Sequence, residues 1–348
     1  MSDQPATFAP YLEAIEAGLR QVLTCPHPAL VPYYDMMRYH LGWVDEAGEP
    51  VQRPAGKRLR PLLCLLTCQA AGGREAWQRA IPAAVAVELL HNFSLIHDDI
   101  EDGDAERRHR LTVWKVWGVP HAINAGDGMF VLAHQALQWL ADDCRVSAGV
   151  LVALNHCLDA ACLDLCHGQF LDMSFETRLE VTAGEYLYMI QGKTASLFAA
   201  ALEMGALLGE AEPPRVAHYH AFGWNLGLAF QVQDDVLGIW GDPAVTGKPA
   251  ASDLWRRKKS WPVVYALEHA SGPTRETLET FYRQAQPAGA DVARVLDILN
   301  DLGARSQAEA VVAGYHEQAL RALDQAAGHE PAQGWLRELA QTLVGRET

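Results

Sequence analysis

The chain has 348 residues, of which 49% are hydrophobic and 20% are charged, so it is long and apolar enough to bury a large core. The formal net charge of −15 argues against a nucleic-acid-binding surface, because such surfaces are normally basic. No secretory signal is visible at the amino terminus, and the seven cysteines show no disulfide-dense pattern. These features predict a soluble, cytoplasmic protein with free thiols.

Most windows along the chain carry apolar residues at three- and four-residue spacing, which indicates amphipathic helices, whereas strand patterns are almost absent. Leu12, Ile15, Leu19 and Val22 form the first such face. Glycine and proline mark the predicted joints between helices, at residues 48–54, 72–73, 118–120, 212–214, 241–249 and 272–273. The sequence therefore predicts an all-α fold, with a single large helical domain over residues 1–348.

The longest apolar stretches lie around residues 81–90 and 195–209. Each contains a carboxylate, Glu88 in the first and Glu203 in the second, so neither gives the unbroken apolar span of a membrane helix. We therefore expect no stable membrane anchor.

A basic loop, Gly-Lys-Arg-Leu-Arg-Pro at residues 56–61, opens an apolar helix-like run. Arginine forks bind phosphate oxygens in paired geometry, and lysine acts as a mobile point charge. A basic run taken alone is more often solvated surface. In a chain this acidic, however, the loop becomes a candidate anion-binding segment.

The first acidic cluster, Asp-Asp-Ile-Glu-Asp at residues 98–102, ends an apolar helix-like run. Asp98 and Asp102 are four residues apart and project from one helix face, while Asp99 points about a quarter-turn aside. Gly103 then marks a helix stop. Carboxylates crowded beside apolar surface repel one another, and hard cations with oxygen ligands relieve that repulsion. The cluster therefore predicts a divalent-metal site, with Arg107 and Arg108 just beyond it.

A second acidic cluster, Asp234 and Asp235, ends another apolar run. Basic residues follow it, with Lys248 in the next loop and Arg-Arg-Lys-Lys at 256–259. One such cluster taken alone is better explained by a solvated acidic helix end. Two clusters, each followed by basic residues, favour a magnesium site that binds a diphosphate.

The segment around Cys162 and Cys166 offers an alternative zinc site, because His156, Cys157 and His167 are close in sequence. It lacks paired Cys-x-x-Cys spacing, and cysteine is among the most commonly buried residues. Ordinary buried thiols are the favoured interpretation.

In this order the motifs resemble those of the trans-isoprenyl diphosphate synthases (polyprenyl synthetases), over most of the chain. The matching pieces are residues 56–61, the cluster 98–102, Arg107-Arg108 with Thr112-Val113, Gly168-Gln169 with Asp172, Lys193-Thr194, Phe230 to Asp235, Gly247-Lys248, and Lys258 ahead of Pro262. The resemblance implies a helical domain of the isoprenoid synthase type with a central cavity between helices. It also implies a homodimeric prenyltransferase that condenses isopentenyl diphosphate head-to-tail with dimethylallyl, geranyl or farnesyl diphosphate.

The resemblance further implies a role for each matched residue. Magnesium, three ions per active site, would be held by Asp98, Asp102 and Asp234, with Asp99 and Asp235 beside them. The allylic diphosphate would contact Arg107, Lys193, Lys248 and Lys258. Isopentenyl diphosphate would contact Lys57, Arg60, His91 and Arg108. Thr194 and Gln231 would lie near the carbocation and stabilise it.

Product length should be set by whatever closes the apolar tunnel below the first acidic cluster. Phe93 lies five residues upstream of Asp98, about 7.5 Å deeper along a helix axis, and Leu90 shares its face. Read alone, Phe93 is ordinary core. Within the family, a lone aromatic there with small Ser94 beside it resembles geranylgeranyl-type enzymes. The expected product is therefore geranylgeranyl diphosphate, with farnesyl diphosphate as the alternative.

One residue departs from the family pattern: Gly238 stands where the second motif usually has another Asp, and Asp242 is a doubtful substitute because Gly241 precedes it in a loop. Asp234 should then carry the metal binding at this motif. Rival interpretations are a class I terpene cyclase, an inactive regulatory paralogue and a non-enzymatic helical partner protein. A cyclase would not need Lys57, Arg60 and His91 for a second diphosphate.

Overall fold

The structure is a computed structural model that describes residues 6–53, 56–142, 146–242, 251–284 and 287–345. Its helices are α1 (Ala9–Val22), α2 (Val31–His40), α3 (Leu59–Gly72), α4 (Ile81–Glu101), α5 (Val113–Trp117), α6 (Val119–Asp142), α7 (Ala148–Thr177), α8 (Ala183–Ile190), α9 (Ser196–Leu208), α10 (Pro213–Trp240), α11 (Ser252–Trp255), α12 (Trp261–His269), α13 (Gly272–Arg283), α14 (Gly289–Asp301), α15 (Ala304–Ala326) and α16 (Ala332–Val344). A π-helical turn, Gln191–Ala195, joins α8 to α9. The all-α prediction is confirmed.

Across the described ranges, the strand content is one short hairpin, β1 (Glu106–Arg107) and β2 (Arg110–Leu111). The two strands are antiparallel, with Arg107 opposite Arg110. Sequence patterns did not predict this hairpin, because two-residue strands carry no alternation to detect.

Most of the predicted joints that the structure describes lie at helix ends, and residues 48–53 lie within the connection between α2 and α3. α3 ends at Gly72, Gly118 separates α5 from α6, α10 begins at Pro213 and α13 begins at Gly272. Residues 243–250, which contain most of another predicted joint, lie outside the described residues.

The chain divides into two compact units. The first consists of Met1–Cys162, Ala200–His220 and Ala326–Leu336, and the second of Leu163–Ala199, Ala221–Gln325 and Arg337–Thr348. The single domain over residues 1–348 and the central cavity stay predictions.

The core of the first unit is built on α4, which is buried without interruption from Pro82 to Leu90 and packs along α6. Alanine and leucine dominate this segment, and both are strong helix formers. α1 crosses α4 closely because Gly18 has no side chain: a methyl group there would lie 2.6 Å from Val85 Cγ2. This packing fixes the carboxyl-terminal end of α4, which carries the first acidic cluster.

The core of the second unit contains two apolar clusters. One gathers Phe175, Tyr186, Val232 and Val264, and the other gathers residues of α11 to α14 such as Leu254, Phe281 and Val295. α8 begins with a capping box in which Thr182 and Glu185 satisfy each other's backbone N–H groups. The first cluster surrounds the carboxyl-terminal half of α10 and so positions the second acidic cluster.

Two segments are long and apolar enough to span a membrane by length and composition alone, Ala76–Glu101 and Ala148–Thr177. The first is 67% buried within the protein, as a core helix is, but the second is only 28% buried. The sequence prediction had excluded the first because of Glu88 and had not considered the second.

Candidate active site

The first acidic cluster lies at the carboxyl-terminal end of α4, as predicted. The helix ends at Glu101, Asp102 is its C-cap, and Gly103 adopts a left-handed conformation with φ of 67°. Asp98 is partly buried and Asp102 is exposed, whereas Asp99 is turned aside and only 1% exposed. The burial of Asp99 agrees with its predicted turn to one side, and a shared metal-binding role of Asp98 and Asp102 stays a prediction.

Arg107 links the first acidic cluster to the hairpin that follows it. Its Nε donates to Asp99 Oδ1 at 2.6 Å, and its Nη2 donates to Asp98 Oδ2 at 3.1 Å. Burial raises the pKa of Asp99 to about 6, against the opposing effect of Arg107. The guanidinium group therefore neutralises the inner part of the cluster and leaves Asp102 at its outer edge.

The hairpin sets the directions of Arg107 and Arg108. Its turn residues Arg108 and His109 both have positive φ, 54° and 60°. This is the conformation of a type I′ turn, which normally uses Asn or Gly, and non-glycine residues in it carry strain. Arg110 anchors the hairpin by donating to the carbonyl oxygens of Tyr39 at 2.9 Å and Val44 at 3.2 Å.

The basic loop contributes a second group of cations in the first unit. Arg60 Nη1 lies 3.3 Å from His91 Nε2. Gly56 has φ of 95°, and a methyl group there would lie 2.8 Å from Arg108 Nη2, so glycine admits the guanidinium group. Lys57 is exposed. Burial, followed by Arg60 and Arg108, lowers the pKa of His91 well below its ordinary value, so this histidine is neutral at pH 7.

Two groups beside these cations were not assigned from sequence. Arg58 is 8% exposed and donates to Glu88 Oε1 at 2.6 Å, and this buried ion pair joins the loop to α4. His40 lines a small pocket with Asp99, Arg107 and Arg108. Burial and these arginines lower the pKa of His40 well below its ordinary value. Glu88 lies within an apolar run, and this position could have indicated a buried cationic partner. No feature of the sequence indicates a role for His40.

In the second unit, Lys193 and Asp172 form a close ion pair, with Lys193 Nζ 2.6 Å from Asp172 Oδ2. Burial alone would raise the pKa of Asp172, but Lys258 and Lys193 outweigh it and hold the pKa below its ordinary value. The structure therefore brings together Lys193 and Lys258, two of the predicted diphosphate contacts. Lys248, the third predicted lysine, lies outside the described residues.

Lys193 and Thr194 lie in the π-helical turn, and α7 packs closely against the backbone of this turn at Gly168. A methyl group on Gly168 would lie 2.7 Å from the Met189 carbonyl oxygen and 2.8 Å from Lys193 Cα. Single π-helical turns are frequent at functional sites. The Gly168 position in the family motif is thus explained by close backbone packing.

Thr194 and Gln231, which the family resemblance places near the carbocation, are joined by a hydrogen bond. Thr194 Oγ1 donates to Gln231 Oε1 at 2.7 Å, and Gln231 Nε2 donates to Asp235 Oδ1 at 3.1 Å. Asp235 is 1% exposed, and burial raises its pKa to about 6. Asp234, its neighbour, is partly exposed.

The absent side chain at Gly238 is replaced by that of another residue. A methyl group there would lie 2.5 Å from Asp253 Cγ and 2.8 Å from Asp253 Oδ1. Ser252 Oγ also donates to the Gly238 carbonyl oxygen at 3.3 Å. Sequence reasoning weighed only Asp242 as a substitute and missed Asp253, because residues 239–252 separate Asp253 from the motif.

Phe93, the predicted floor residue, contacts aromatic rings on α4 and α6. Its ring centroid lies 5.0 Å from that of His97 and 5.5 Å from that of Phe130. Leu90 is fully buried and Ser94 donates to the His91 carbonyl oxygen at 2.8 Å. Phe130 is a further candidate floor residue. The sequence did not indicate it, because it is far from Phe93 along the chain.

The donor set fits magnesium by its chemistry. The exposed Asp102 and the partly exposed Asp98 offer oxygen ligands only, which hard cations prefer. Within the described ranges, no three His, Cys, Asp or Glu side chains are grouped closely enough to hold an ion without further ligands. Magnesium commonly uses one or two carboxylates and completes its shell with water and substrate phosphates, so the arrangement suits a metal that arrives with a diphosphate. The same observation gives no support to a zinc site on α7.

An all-helical protein with acidic helix ends and arginines and lysines beside them has the features of a diphosphate-using helical enzyme. A family model described as polyprenyl synthetase matches residues 42–299. The (2E,6E)-farnesyl diphosphate synthase of Mycobacterium bovis is 40% identical over 338 residues, covering 96% of this chain and 91% of that protein. The geranylgeranyl diphosphate synthase of Mycobacterium tuberculosis is 43% identical over 272 residues, covering 78% and 76%.

Among solved structures, a polyprenyl synthetase from Streptomyces coelicolor A3(2) matches with a TM-score of 0.85 and 36% identity, covering 96% of this chain and 99% of that one. The chain belongs to the polyprenyl synthetase family. It is a prenyltransferase, a short-chain trans-prenyl diphosphate synthase.

Proposed function

We propose that this protein condenses isopentenyl diphosphate with an allylic diphosphate, in a magnesium-dependent reaction, to give geranylgeranyl diphosphate. The observation that carries the proposal is the group of Arg60, His91 and Arg108 in the first unit, beside the aspartate-rich end of α4. Such a group provides for a second diphosphate, which a one-substrate cyclase does not need. Neutral His91 can donate or accept a hydrogen bond there without adding charge.

The chemistry follows from these side chains. Magnesium, three ions in this proposal, would be held by Asp98, Asp102 and Asp234 and would stabilise charge on the departing diphosphate. Lys193 and Lys258 add positive charge held in place by Asp172.

In the reaction, the allylic C–O bond breaks and its electron pair leaves with the diphosphate. The double bond of isopentenyl diphosphate attacks the allylic cation, and the product loses a proton to the released diphosphate. The oxygens of Thr194 and Gln231 are fixed dipoles suited to stabilise the cation. No dedicated protein base is required for this proton loss.

Product length is the finer part of the proposal, since the relatives' names include both farnesyl and geranylgeranyl diphosphate synthases. Phe93 supports a short product, because its ring packs on Phe130 between α4 and α6. Phe93→Ala should lengthen the product and Phe93→Trp should shorten it, as measured by chromatography of the dephosphorylated prenyl alcohols. Unchanged product length in both variants would show that Phe93 is ordinary core.

A homodimer in the cytoplasm is part of the same proposal. On α6, Val119, Ile123 and Val131 are 39%, 43% and 52% exposed, and on α7 Val152 is 69% exposed. These exposed apolar residues lie on two neighbouring helices, joined by the contact between His134 and Asn155, and large exposed apolar surfaces are typical of protein interfaces. Asp159 on α7 is also exposed and is costly in lipid, so a protein partner explains the helix better than a membrane. Light scattering should give a dimer mass for the wild type and a monomer mass for Val131→Asp.

The experiment that tests the proposed function uses labelled isopentenyl diphosphate with each allylic primer, with and without magnesium. Metal-dependent extension to a twenty-carbon chain is expected. A fifteen-carbon end product would favour farnesyl diphosphate synthase. A cyclic hydrocarbon made without isopentenyl diphosphate would indicate a cyclase and contradict the proposal.

A further inference from the structure

The second acidic cluster contains two adjacent carboxylates in different environments. Asp234 is partly exposed, whereas Asp235 is 1% exposed in the core of the second unit. Because helix residues one apart point about 100° away from each other, both side chains cannot face the same ligand directly. The question is what the buried carboxylate does.

Both oxygens of Asp235 accept hydrogen bonds from the protein. Oδ1 accepts from Gln231 Nε2 at 3.1 Å, and Oδ2 accepts from the Trp261 backbone N–H at 2.8 Å and from the Tyr186 hydroxyl. A metal ligand needs lone pairs that point toward the ion. Three protein donors and almost complete burial leave Asp235 poorly suited to that role, although the family motif includes it.

The hydrogen bond from Gln231 has a consequence for the neighbouring residues. An amide side chain can rotate to exchange its oxygen and nitrogen, and only its nitrogen can donate to Asp235. With Nε2 held by Asp235, Oε1 is directed to Thr194, which donates to it at 2.7 Å. The positions of both side chains therefore depend on Asp235.

We propose that Asp235 is a positioning residue that fixes the amide of Gln231 and, through it, the hydroxyl of Thr194, rather than a metal ligand. The inference rests on the proposed function, in which these two side chains stabilise the allylic cation. It assigns metal binding at this motif to Asp234 and a separate task to its neighbour. Tyr186 and the Trp261 N–H hold Asp235 itself in place.

The first test separates metal binding from turnover. Mn²⁺ is titrated into the protein in the presence of geranyl thiodiphosphate, an unreactive analogue, and bound ion is followed by electron paramagnetic resonance. Asp235→Asn should leave the Mn²⁺ Kd within about 3-fold of wild type, whereas the matched Asp234→Asn should raise it at least about 10-fold. An equal loss of Mn²⁺ affinity in both variants overturns the inference.

The second test asks whether Asp235 acts through Gln231. Asp235→Asn should lower kcat about 100-fold with little change in KM, because small misplacement of a reacting group costs that much. In a Gln231→Ala background the same change should lower kcat by less than about 2-fold. Multiplicative losses in the double variant would contradict the inference.

Tyr186→Phe keeps the test decisive if Asp235→Asn does not fold, which circular dichroism and thermal melting would show. It removes one of the three donors to Asp235 and should lower kcat only when Gln231 is present. An equal loss in both backgrounds would overturn the inference. A wild-type protein with no condensation activity would instead refute the proposed function and the inference with it, whereas an active wild type with fully active Asp235→Asn refutes the inference alone.

Discussion

Replacement of Gly168 by alanine tests whether close backbone packing sets the position of the Lys193–Thr194 turn. The new methyl group would lie 2.7 Å from the Met189 carbonyl oxygen and 2.8 Å from Lys193 Cα, with the Lys193 backbone nitrogen closer still. All three are backbone atoms, so the clash cannot be relieved by a side-chain rotation. Overpacking of this kind costs about 1–3 kcal/mol, and α7 must move away from the turn to accommodate the methyl group.

The melting temperature should fall by at most about 2–4 °C for each kcal/mol of lost stability. The kcat should fall by about 10- to 100-fold. Gly314→Ala is the matched control, because a methyl group on that helical glycine meets no atom within 4 Å. The control should keep full activity and gain about 0.5–1 kcal/mol of stability from improved helix propensity. Scanning calorimetry and steady-state kinetics measure both variants. A Gly168→Ala enzyme as stable and active as the control would refute the packing argument.

Three further predictions concern charge. Arg58→Met should lower the free energy of unfolding, measured with urea, by about 3–5 kcal/mol, because it removes the cation paired with the buried Glu88. Adding Glu88→Leu to the same chain should restore much of the loss. Equal stability of the single and double variants would contradict this. The pKa of His40 is lowered in the folded state, so the unfolded chain binds a proton more readily and the free energy of unfolding falls as the pH drops below about 6.5. His40→Gln should reduce the slope of the unfolding free energy against pH by about 1.4 kcal/mol per pH unit. An unchanged slope would refute the assignment. Gly238→Asp should lower the free energy of unfolding, because its β-carbon would lie 2.5 Å from Asp253 Cγ and would bring two carboxylates together. Asp253→Ala in the same chain should restore much of that loss, and equal stability of the single and double variants would contradict the packing argument.

The helical fold and the helix ends were predictable because they depend on local signals. Apolar spacing identified the helices, and glycine and proline identified the ends, including Gly103 after the first acidic cluster. Motif order then gave the family without any structure. These parts of the account need only residues near one another in the chain.

The remaining features depend on contacts that no local pattern encodes. Asp253 fills the space at Gly238, His40 joins a group of arginines, and Phe130 packs on Phe93. Asp235 shows the same limitation, since its motif indicates a ligand and only the three-dimensional contacts reveal its protein donors. The sequence named candidate site residues but could not show the contacts that each of them makes.

The most direct test of the central claim is the chain length of the product formed from labelled isopentenyl diphosphate and dimethylallyl diphosphate with magnesium. We expect a linear twenty-carbon prenyl diphosphate, which disappears when the metal is chelated. The claim would be contradicted if no prenyl chain were extended from dimethylallyl, geranyl or farnesyl diphosphate in the presence of magnesium.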